Sequence, residues 1–542
     1  MTSPNSSVVL QCNGATRTVT GSSFLFSTPA ARILVDCGLF QGPKTLKALN
    51  YADFPYRPSD IDAVLLTHAH IDHSGLLPKL IKAGFQGPVF ATRGTVDLCS
   101  YLLPDAGYIQ ESEVAALNRR NTARGRAEVL PIYTKSDAQA AIDAFRTVEY
   151  EEWRQVAPGV RARYWNAGHL LGSASIEIEF GGSSPGDHPL RVLVSGDVGP
   201  DSKLLQPLPD APAGFDYVIS EATYGDTERQ KISPLQRRQR LAAEVIAAQA
   251  AGGALLIPAF AVERTQELLI ELLDLMESRA IPPAPIFLDS PLAIRATEVF
   301  RRHASAIRPE VDLEKALGSP HLHITETVDE SKAISRFSGF HIIISASGMC
   351  EAGRIRHHLK RWLWRRDATV LLTGFQAQGT LGRFLQDGAD TVRIQGEEIK
   401  VFARVRQIDE YSGHADSVEL SKWISDRSPI RRGVFLVHGE PPALAALSGR
   451  LEKTLGGQCR IVLPELDDRY ELARPSAERI EGTFRRRLPT NAVTSLDWHN
   501  EMSKLIIDLN RRLDAAEDDA AREALLLRLH RALEAIPART SR

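Results

Sequence analysis

Three histidines and an aspartate lie within six residues of one another, in the segment THAHIDH at 67–73. The segment follows an apolar run of strand length that starts at residue 63, so these side chains leave a sheet together. Imidazole nitrogens and carboxylate oxygens are ligands that suit zinc, and this spacing can supply two metal ions from one loop. Polar surface loops rarely concentrate histidine in this way. The segment therefore predicts a metal centre built on His68, His70, Asp72 and His73.

Two further ligand candidates follow other apolar runs. His169 lies in NAGHLLG at 166–172 and Asp197 lies in SGDV at 195–198, each near a glycine that allows close approach of the backbone. Taken alone, His169 is more often a hydrogen-bonded histidine than a ligand, but a cluster that needs more ligands reverses that expectation. Asp36 also follows an apolar run, and a carboxylate there can orient a ligand histidine without touching the metal.

Short apolar runs predict a layered α/β fold. Runs at 33–36, 63–67, 191–195 and 217–220 have the length and β-branched content of buried strands. In layered α/β folds the ligand-binding loops follow the carboxyl ends of strands, which is where Asp36, His68, Asp197 and Glu221 fall. From about residue 226, helices at 235–250 and 265–278 alternate with strands, which predicts a second, parallel α/β unit. Its strands are expected at 254–258, 286–289, 341–345 and 369–373.

The remaining sequence predicts strands at 399–409 and 433–437, followed by a helical tail. Helical periodicity runs over 495–533 with a break near Asp518, so we expect two amphipathic helices there. Such helices are expected to serve packing or self-association rather than catalysis, which leaves a homodimer open.

Composition limits the classes of partner and compartment. The chain has 542 residues and a formal net charge of -2, so a polyanion must bind through a local groove rather than a whole-molecule basic field. The five scattered cysteines form no C-x-x-C pair, which argues against a zinc ribbon or a disulfide framework and favours reduced thiols in the cytoplasm. No secretory signal is expected at the N-terminus. The longest apolar stretch, 242–262, contains Glu244 and a glycine pair, so no membrane span or membrane partner is expected.

The metal motif resembles that of a known superfamily. A His-x-His-x-Asp-His segment with a downstream histidine and aspartate resembles the metallo-β-lactamase superfamily over roughly residues 8–225. SEATYGD at 220–226, YSGHAD at 411–416 and VHGE at 437–440 resemble motifs of its β-CASP subgroup, which processes nucleic acids. The segments IPAFAVER at 257–264, SASGM at 345–349 and LTGFQAQG at 372–379 add to this similarity.

The resemblance implies an α/β fold, a metallo-β-lactamase αββα sandwich with an inserted α/β β-CASP domain. The sandwich would occupy residues 1–225 and resume over 396–465. The insertion would occupy residues 226–395, and residues 466–542 would form the helical tail.

The resemblance also implies a role for each site residue. One zinc would be held by His68, His70 and His169, a second by Asp72, His73 and His438, and Asp197 would bridge them; Mn²⁺ is an alternative to Zn²⁺. A hydroxide between the two metals would attack a phosphodiester and leave a 5′-phosphate and a 3′-hydroxyl. His414 would protonate the leaving oxygen, and Glu221 would hold its imidazole. Asp72 and Asp36 complete the predicted catalytic set.

The third β-CASP motif bears on the substrate. RNA-acting members of the family carry histidine at the position of His438, whereas the DNA-repair branch usually carries valine, so the resemblance implies RNA. The insertion would supply RNA contacts, because GRIRHHLKRWLWRR at 353–366 is rich in cations. Phosphates are expected to meet Arg354, Arg356, Lys360, Ser345 and Ser347. Trp362 and Trp364 could stack on bases, and a solvated helix face is the alternative for the whole segment.

Three rivals to an RNA-cutting enzyme stay open on the sequence alone. The first is a DNA nuclease of the same fold, which cleavage of matched RNA and DNA strands would separate. The second is a small-molecule metallohydrolase, which needs neither the insertion nor the pair Glu221 and His414. The third is a non-catalytic RNA-binding scaffold, which the complete ligand set argues against. The choice between endonuclease and exonuclease also stays open, because the tail matches no part of ribonuclease J.

Overall fold

The computed structural model describes residues 8–534, apart from 182–188, 231, 309–311, 473–475, 481–485 and 495–497. A sandwich of two sheets forms the larger unit, and an α/β unit is inserted into it. The strands predicted at 33–36, 63–67, 191–195 and 217–220 are present, with ends shifted by at most two residues. The predicted α/β class is therefore confirmed.

The sandwich begins with the first part of the chain. In chain order its elements are β1 (Val9–Cys12), β2 (Phe24–Ser27), β3 (Arg32–Val35), α1 (Lys44–Ala48), β4 (Ala63–Leu65), α2 (Ile71–Ser74), α3 (Leu77–Lys82), β5 (Val89–Thr92), α4 (Arg93–Thr122), α5 (Lys135–Ala141), β6 (Phe145–Val148), β7 (Arg154–Ala157), β8 (Val160–Asn166), β9 (Ala174–Phe180), β10 (Leu190–Val194) and β11 (Tyr217–Glu221).

The insertion follows, and the chain then returns to the sandwich. The insertion contains α6 (Pro234–Ala251), β12 (Ala254–Pro258), α7 (Arg264–Glu277), β13 (Ile286–Leu288), α8 (Pro291–Arg302), α9 (Leu313–Leu317), β14 (Leu322–Ile324), α10 (Val328–Ile334), β15 (His341–Ser345), α11 (Ile355–Trp362), β16 (Thr369–Leu372), α12 (Leu381–Gln386), β17 (Thr391–Ile394), β18 (Glu397–Lys400) and β19 (Arg404–Gln407). The last part contains α13 (Ser417–Ser425), β20 (Gly433–Val437), α14 (Pro441–Thr454), β21 (Arg460–Val462), β22 (Arg469–Glu471), β23 (Glu478–Arg479), α15 (Thr490–Thr494), α16 (Trp498–Asp514) and α17 (Asp519–Glu534).

The two sheets of the sandwich bury a common core. One sheet runs in the order β23-β22-β1-β2-β3-β4-β5-β6, and the other runs β21-β20-β11-β10-β9-β8-β7. Side chains such as Phe26, Ile33 and Ile178 fill the space between the sheets. Separate apolar clusters join helices to the outer faces, with α4 on the first sheet and α13 and α14 on the second. These layers form the αββα sandwich that the resemblance implied.

The strand directions bring the ligand-bearing loops to one end of the sandwich. β3 and β4 are parallel in the first sheet, and β10, β11 and β20 are parallel in the second. Because parallel strands end on the same edge of a sheet, the loops that follow them lie side by side. The five loops carry Asp36, His68, Asp197, Glu221 and His438.

The sheet of the insertion extends beyond the boundary predicted from the sequence. Its order is β14-β13-β15-β12-β16-β19, and its pairs are parallel. β19 starts at residue 404, whereas the insertion was predicted to end at 395. The sequence also indicated a single strand over 399–409, but the structure divides it into β18, which pairs with β17, and β19. An apolar pattern marks a strand without specifying its partner, so the sequence did not reveal that β19 joins the sheet of the insertion.

β22 and β23 belong to the sandwich, although residues 466–542 were predicted to form the helical tail. β22 pairs with β1 and extends the first sheet, and β23 pairs with β22. Tyr470 is buried in the core between the sheets. Leu466 and Val493 pack against Phe40 and Leu46. A three-residue strand gives too weak a sequence pattern to reveal this pairing.

The tail helices agree with the sequence in number and position. α16 and α17 are separated at residues 515–518, where a break was predicted. Self-association through them stays a prediction. None of the helices in the described ranges combines the length and apolarity that crossing a bilayer requires.

Deletion of residues 466–542 is expected to destabilise the protein far more than deletion of 495–542. The longer deletion leaves the outer edge of β1 unpaired and removes the buried side chains of Leu466 and Tyr470, each worth about 1.5–3 kcal/mol of burial. We expect it to lower the free energy of unfolding by about 5 kcal/mol, measured by urea unfolding. The shorter deletion is the matched control, and equal midpoints for both truncated proteins would show that β22 does not stabilise the sandwich.

Candidate metal centre and active site

One group of predicted ligands converges from three loops. Nδ1 of His70 lies 3.2 Å from Nε2 of His68 and 3.1 Å from Nε2 of His169. Oδ2 of Asp197 lies 3.4 Å from Nε2 of His68 and 3.6 Å from Nε2 of His169. Tetrahedral zinc, with ligands at about 2.0–2.1 Å, separates those ligands by about 3.3 Å. The four atoms therefore form a cage of the size that zinc requires.

A second group lies beside the first and shares Asp197. Nε2 of His73 lies 3.3 Å from Nε2 of His438 and 3.3 Å from Oδ1 of Asp197. Oδ2 of Asp72 lies 3.5 Å from Nε2 of His438. Asp197 thus turns one carboxylate oxygen toward each group, which is the arrangement of a bridging ligand.

The donor atoms of the cluster fit a cation better than they fit one another. Nδ1 of His169 lies 2.6 Å from the carbonyl oxygen of Gly413 and donates to it, so Nε2 directs a lone pair at the first group. Oδ1 of Asp197 is buried and accepts no hydrogen bond from the described residues. A buried carboxylate oxygen of this kind is stable only beside a positive charge. The residues present therefore fit a metal ion.

The pKa values within the cluster lead to the same conclusion. Burial lowers the pKa of His70 to about 3, which keeps its imidazole neutral. His73 differs, because its burial is outweighed by the carboxylates of Asp197 and Asp36, which raise its pKa well above the usual value, so a metal ion would have to displace its proton. Although burial opposes ionisation of Asp197, the neighbouring imidazoles hold its pKa well below the usual value, and that of His438 has the largest effect. Ionised carboxylates and neutral imidazoles are the forms that bind metal.

Asp36 lies behind a ligand histidine rather than within either group. Its Oδ2 lies 2.7 Å from Nδ1 of His73, and its carboxylate accepts hydrogen bonds from the backbone N and the hydroxyl of Thr67 at 2.8 and 2.9 Å. In the second group, Oγ1 of Thr223 lies 3.1 Å from Nδ1 of His438. The sequence analysis missed both threonines, although each lies inside a motif that it used. Such partners fix the orientation of a ligand ring.

His414 and Glu221 form a pair at the edge of the metal cluster. Nδ1 of His414 lies 3.1 Å from Oε2 of Glu221 and 3.9 Å from Oδ2 of Asp197. Glu221 is buried, and its Oε1 accepts a hydrogen bond of 2.5 Å from the backbone N of Val198. The guanidinium of Arg229, which the sequence analysis did not single out, donates to the backbone carbonyl of His414. The loop that carries His414 is therefore held at both its side chain and its backbone.

A cavity of about 210 Å³ lies over the ligands, between the sandwich and the insertion. On the sandwich side it is lined by His70, Asp72, His169, Asp197, His414 and His438. On the insertion side it is lined mainly by Phe260, Met349, Phe375, Ser347 and Glu351. The metal cluster and the His414–Glu221 pair thus open into a single cavity that is polar on one side and largely apolar on the other.

Glu263 holds the insertion against the ligand loop. It has φ +70° and ψ −63°, and the N of Arg264 donates to the O of Val262 at 2.9 Å, which makes a strained γ-turn. Its buried carboxylate accepts a hydrogen bond of 3.3 Å from the N of Leu171, two residues after His169. Strain at a residue in the cavity wall indicates that its side chain has a positioning role.

The predicted serine contacts divide into one residue in the cavity and one outside it. Ser347 lines the cavity, and its Oγ accepts a hydrogen bond of 3.0 Å from the N of Glu351. Ser345 is fully buried at the end of β15, and its hydroxyl donates to the O of Asp289 at 2.7 Å. The hydroxyl of Ser345 is therefore not available to a substrate phosphate in this conformation.

The predicted cationic contacts are held in ion pairs away from the cavity. Each has a carboxylate partner: Arg354 pairs with Asp289 at 2.6 Å, Arg356 with Glu113 at 2.8 Å and Lys360 with Glu397 at 2.5 Å. Phosphate binding by these cations stays a prediction, and a phosphate would have to displace their partners. Trp362 is buried in the core of the insertion and cannot stack on a base, whereas Trp364 is exposed.

The fold and the site define a class of protein that comparison with known families identifies. The family model of the metallo-β-lactamase superfamily matches residues 16–249, that of the Beta-Casp domain matches 265–385, and that of the Zn-dependent metallo-hydrolase RNA specificity domain matches 398–462. The chain belongs to the β-CASP family of metallo-β-lactamase-fold proteins, as its motifs predicted. It is a metal-dependent hydrolase of that family.

Similarity to individual proteins extends over most of the chain. Ribonuclease TTHA0252 of Thermus thermophilus is 37% identical over 440 residues, which are 80% of this chain and 94% of that protein. The transcription termination factor FttA of Methanosarcina mazei is 31% identical over 457 residues, which are 82% of this chain and 68% of that protein.

Glu263 is expected to make the stability of the protein depend on pH. Burial raises its pKa from 4.5 to about 7, so the folded state favours the neutral carboxyl. A raised folded-state pKa contributes stability below pH 4.5 that is lost as the pH rises through 7. Between pH 4.5 and pH 8, the free energy of unfolding of wild type should fall by about 2–3 kcal/mol more than that of Glu263→Gln, as measured by urea unfolding. Parallel pH profiles for the two proteins would contradict the raised pKa.

Proposed function

We propose that this protein is a ribonuclease that binds two zinc ions and hydrolyses RNA phosphodiester bonds, leaving a 5′-phosphate and a 3′-hydroxyl. Its place would be RNA processing or decay in the cytoplasm. The observation that carries the proposal is the His414–Glu221 pair, which lies beside the metal ligands and opens into the same cavity. A metallohydrolase that acts on a small molecule needs no such pair.

The metal ligands would supply the charge and the nucleophile of the reaction. His68, His70 and His169 would hold one ion, Asp72, His73 and His438 would hold the other, and Asp197 would bridge them. Two zinc ions, or manganese ions in their place, would lower the pKa of a water molecule and neutralise phosphate oxygens. Asp72 lines the cavity, and a carboxylate oxygen there can accept a hydrogen bond from the attacking water.

His414 would protonate the leaving 3′-oxygen. Its Nδ1 faces Glu221 at 3.1 Å, so Nε2 is the ring nitrogen left to act on substrate in the cavity. Buried Glu221 accepts the hydrogen bond from Nδ1 and fixes the plane of the ring. Arg229 anchors the backbone of the same residue, so the acid keeps its position when RNA enters.

The insertion would form the opposite wall of the RNA site. Phe260, Met349 and Phe375 present apolar surface over the metal cluster, where a base or ribose can displace water. Ser347 and nearby backbone N–H groups can donate to a phosphate. Three features favour RNA over DNA as substrate: the histidine at position 438, the RNA specificity domain matched at 398–462 and a relative named as a ribonuclease.

The proposal predicts metal-dependent cleavage of RNA in preference to DNA. A 30-nucleotide strand labelled at its 5′ end should be cut by the purified protein, and chelation should abolish the cutting until zinc or manganese is added back. A DNA strand of the same sequence should be cut at least about tenfold more slowly. Equal cleavage of both strands would favour the DNA nuclease. Products that end in a 2′,3′-cyclic phosphate would mean attack by the ribose hydroxyl rather than by water.

His414→Ala should lose about 10²–10⁴-fold in RNA cleavage rate, the usual contribution of a general acid. Hydrolysis of bis-p-nitrophenyl phosphate should fall much less, because p-nitrophenolate leaves without a proton. Elemental analysis should find the metal content of this variant unchanged.

Asp197→Ala is the matched control for the His414 variant, since it removes the shared ligand. It should lose metal and both activities together. If His414→Ala loses metal as well, or if its two activities fall equally, His414 does not act as the acid.

A further inference from the structure

α4 connects the cavity to a part of the surface that the proposed function does not use. Near its start, Asp97 lies 2.7 Å from Nε2 of His303, so the helix passes beneath the insertion. Leu102 lines the cavity, and Glu113 pairs with Arg356 of α11. The helix then continues for nine more residues beyond its contact with the insertion.

The end of this helix and the turn after it form a basic arm, which we define as residues 114–127. The segment contains four arginines and no acidic residue, in a chain whose formal net charge is -2. All four are exposed, and none has an ion pair within the described ranges: Arg119, Arg120, Arg124 and Arg126. Arg354, Arg356 and Lys360, in contrast, each have a carboxylate partner.

The basic arm is an ordered hairpin. Asn118 exchanges two side-chain hydrogen bonds of 2.9 Å with the backbone N and O of Val129. Asn121 donates to the O of Ala127 at 3.2 Å, and Gly125 takes φ +62° where the chain reverses. At the base of the hairpin, Val114 is buried. The arginines are therefore held together on a fixed backbone, which lowers the entropy cost of binding a ligand.

We propose that the basic arm binds the phosphate backbone of RNA that extends out of the cleavage cavity. The inference rests on the proposed function and adds to it a second contact outside the active site. Seventeen helical residues separate Leu102 from Arg119, a distance of about 26 Å, which about eight nucleotides span at 3.4 Å each. A stacked strand that is cut in the cavity therefore reaches the arm only when about this many nucleotides lie to one side of the cut.

The chemistry of the arm favours RNA over other anionic partners. Arginine presents a planar guanidinium that binds phosphate through paired hydrogen bonds. The only large apolar side chain exposed within the arm is Leu117, too little for the apolar face of a membrane-binding helix. Between the cavity and the arm, Tyr108 is 60% exposed on α4. Exposed aromatic rings beside a basic surface can stack on bases.

The test compares two variants that remove the same number of charges. The arm variant changes Arg119, Arg120, Arg124 and Arg126 to Gln. The control variant changes four exposed cations on other elements that also have no ion pair within the described ranges, namely Arg336, Arg393, Lys453 and Arg460, to Gln. Both variants should keep the thermal midpoint of wild type, because the replaced side chains are exposed.

The test uses fluorescent single-stranded RNAs, a 30-mer and a 6-mer. Their binding is measured by fluorescence anisotropy over a range of salt concentrations, and their cleavage is measured with metal present. For the 30-mer, the arm variant should raise Kd at least about tenfold. It should also lower the slope of log Kd against log salt concentration by about 2–3, since each phosphate contact contributes about 0.7 to that slope. Its KM for the 6-mer and its hydrolysis of bis-p-nitrophenyl phosphate should match wild type. The control variant should behave as wild type throughout.

Three outcomes would overturn the inference. Equal changes in both variants would mean that net charge, not the arm, governs RNA binding. An equal loss of 6-mer cleavage would mean that the arm supports the fold or the cavity. Unchanged RNA binding, with lost binding to phosphatidylcholine–phosphatidylserine vesicles, would assign the arm to a lipid surface. If wild type does not cut RNA, the proposed function is wrong. The inference about the arm can still be tested in that case, because it predicts binding of the intact 30-mer.

Discussion

The shared carboxylate of Asp197 is the constraint on which the site depends. Its Oδ2 faces His68 and His169, and its Oδ1 faces His73, so both ligand groups are positioned around a single buried anion. Such an anion is stable only with cations beside it, and the fold brings the seven predicted ligands together here, most of them by ending parallel strands of two sheets at one edge. The apolar core between the two sheets fixes their relative position, and thereby fixes the two halves of the metal cluster relative to each other.

The insertion is attached to the sandwich by contacts that lie around the cavity. Lys47 of the sandwich pairs with Glu351 at 2.6 Å, and Glu113 pairs with Arg356 at 2.8 Å. Glu263 adds a hydrogen bond to the ligand loop. These contacts give some of the polar residues near the cavity a structural purpose, because they set the width of the gap between the apolar wall and the metal ligands.

The cations near α11 and the arginines of the basic arm differ in whether a carboxylate of the chain already pairs with them. Arg354, Arg356 and Lys360 are held by carboxylates of the chain, and they stabilise the insertion or its contact with α4. The arginines of the basic arm have no such partners in the described part of the chain, and they lie beyond the point where α4 contacts the insertion. A protein with nearly balanced charge can therefore offer a polyanion one local surface without becoming basic as a whole.

The sequence by itself determined the family, and it predicted the ligand cluster and the pair of His414 with Glu221 that the structure brings together, because each depends on residue types at short spacings after apolar strands. It determined the core strands for the same reason. Only the tertiary structure decided that β22 completes the first sheet, that β19 belongs to the insertion, and that the α11 cations are already paired. Those facts depend on partners distant in the chain, such as Glu113 for Arg356, and a local pattern holds no information about them. The arm was not predicted because only the structure shows that its four arginines form no ion pair with the described residues.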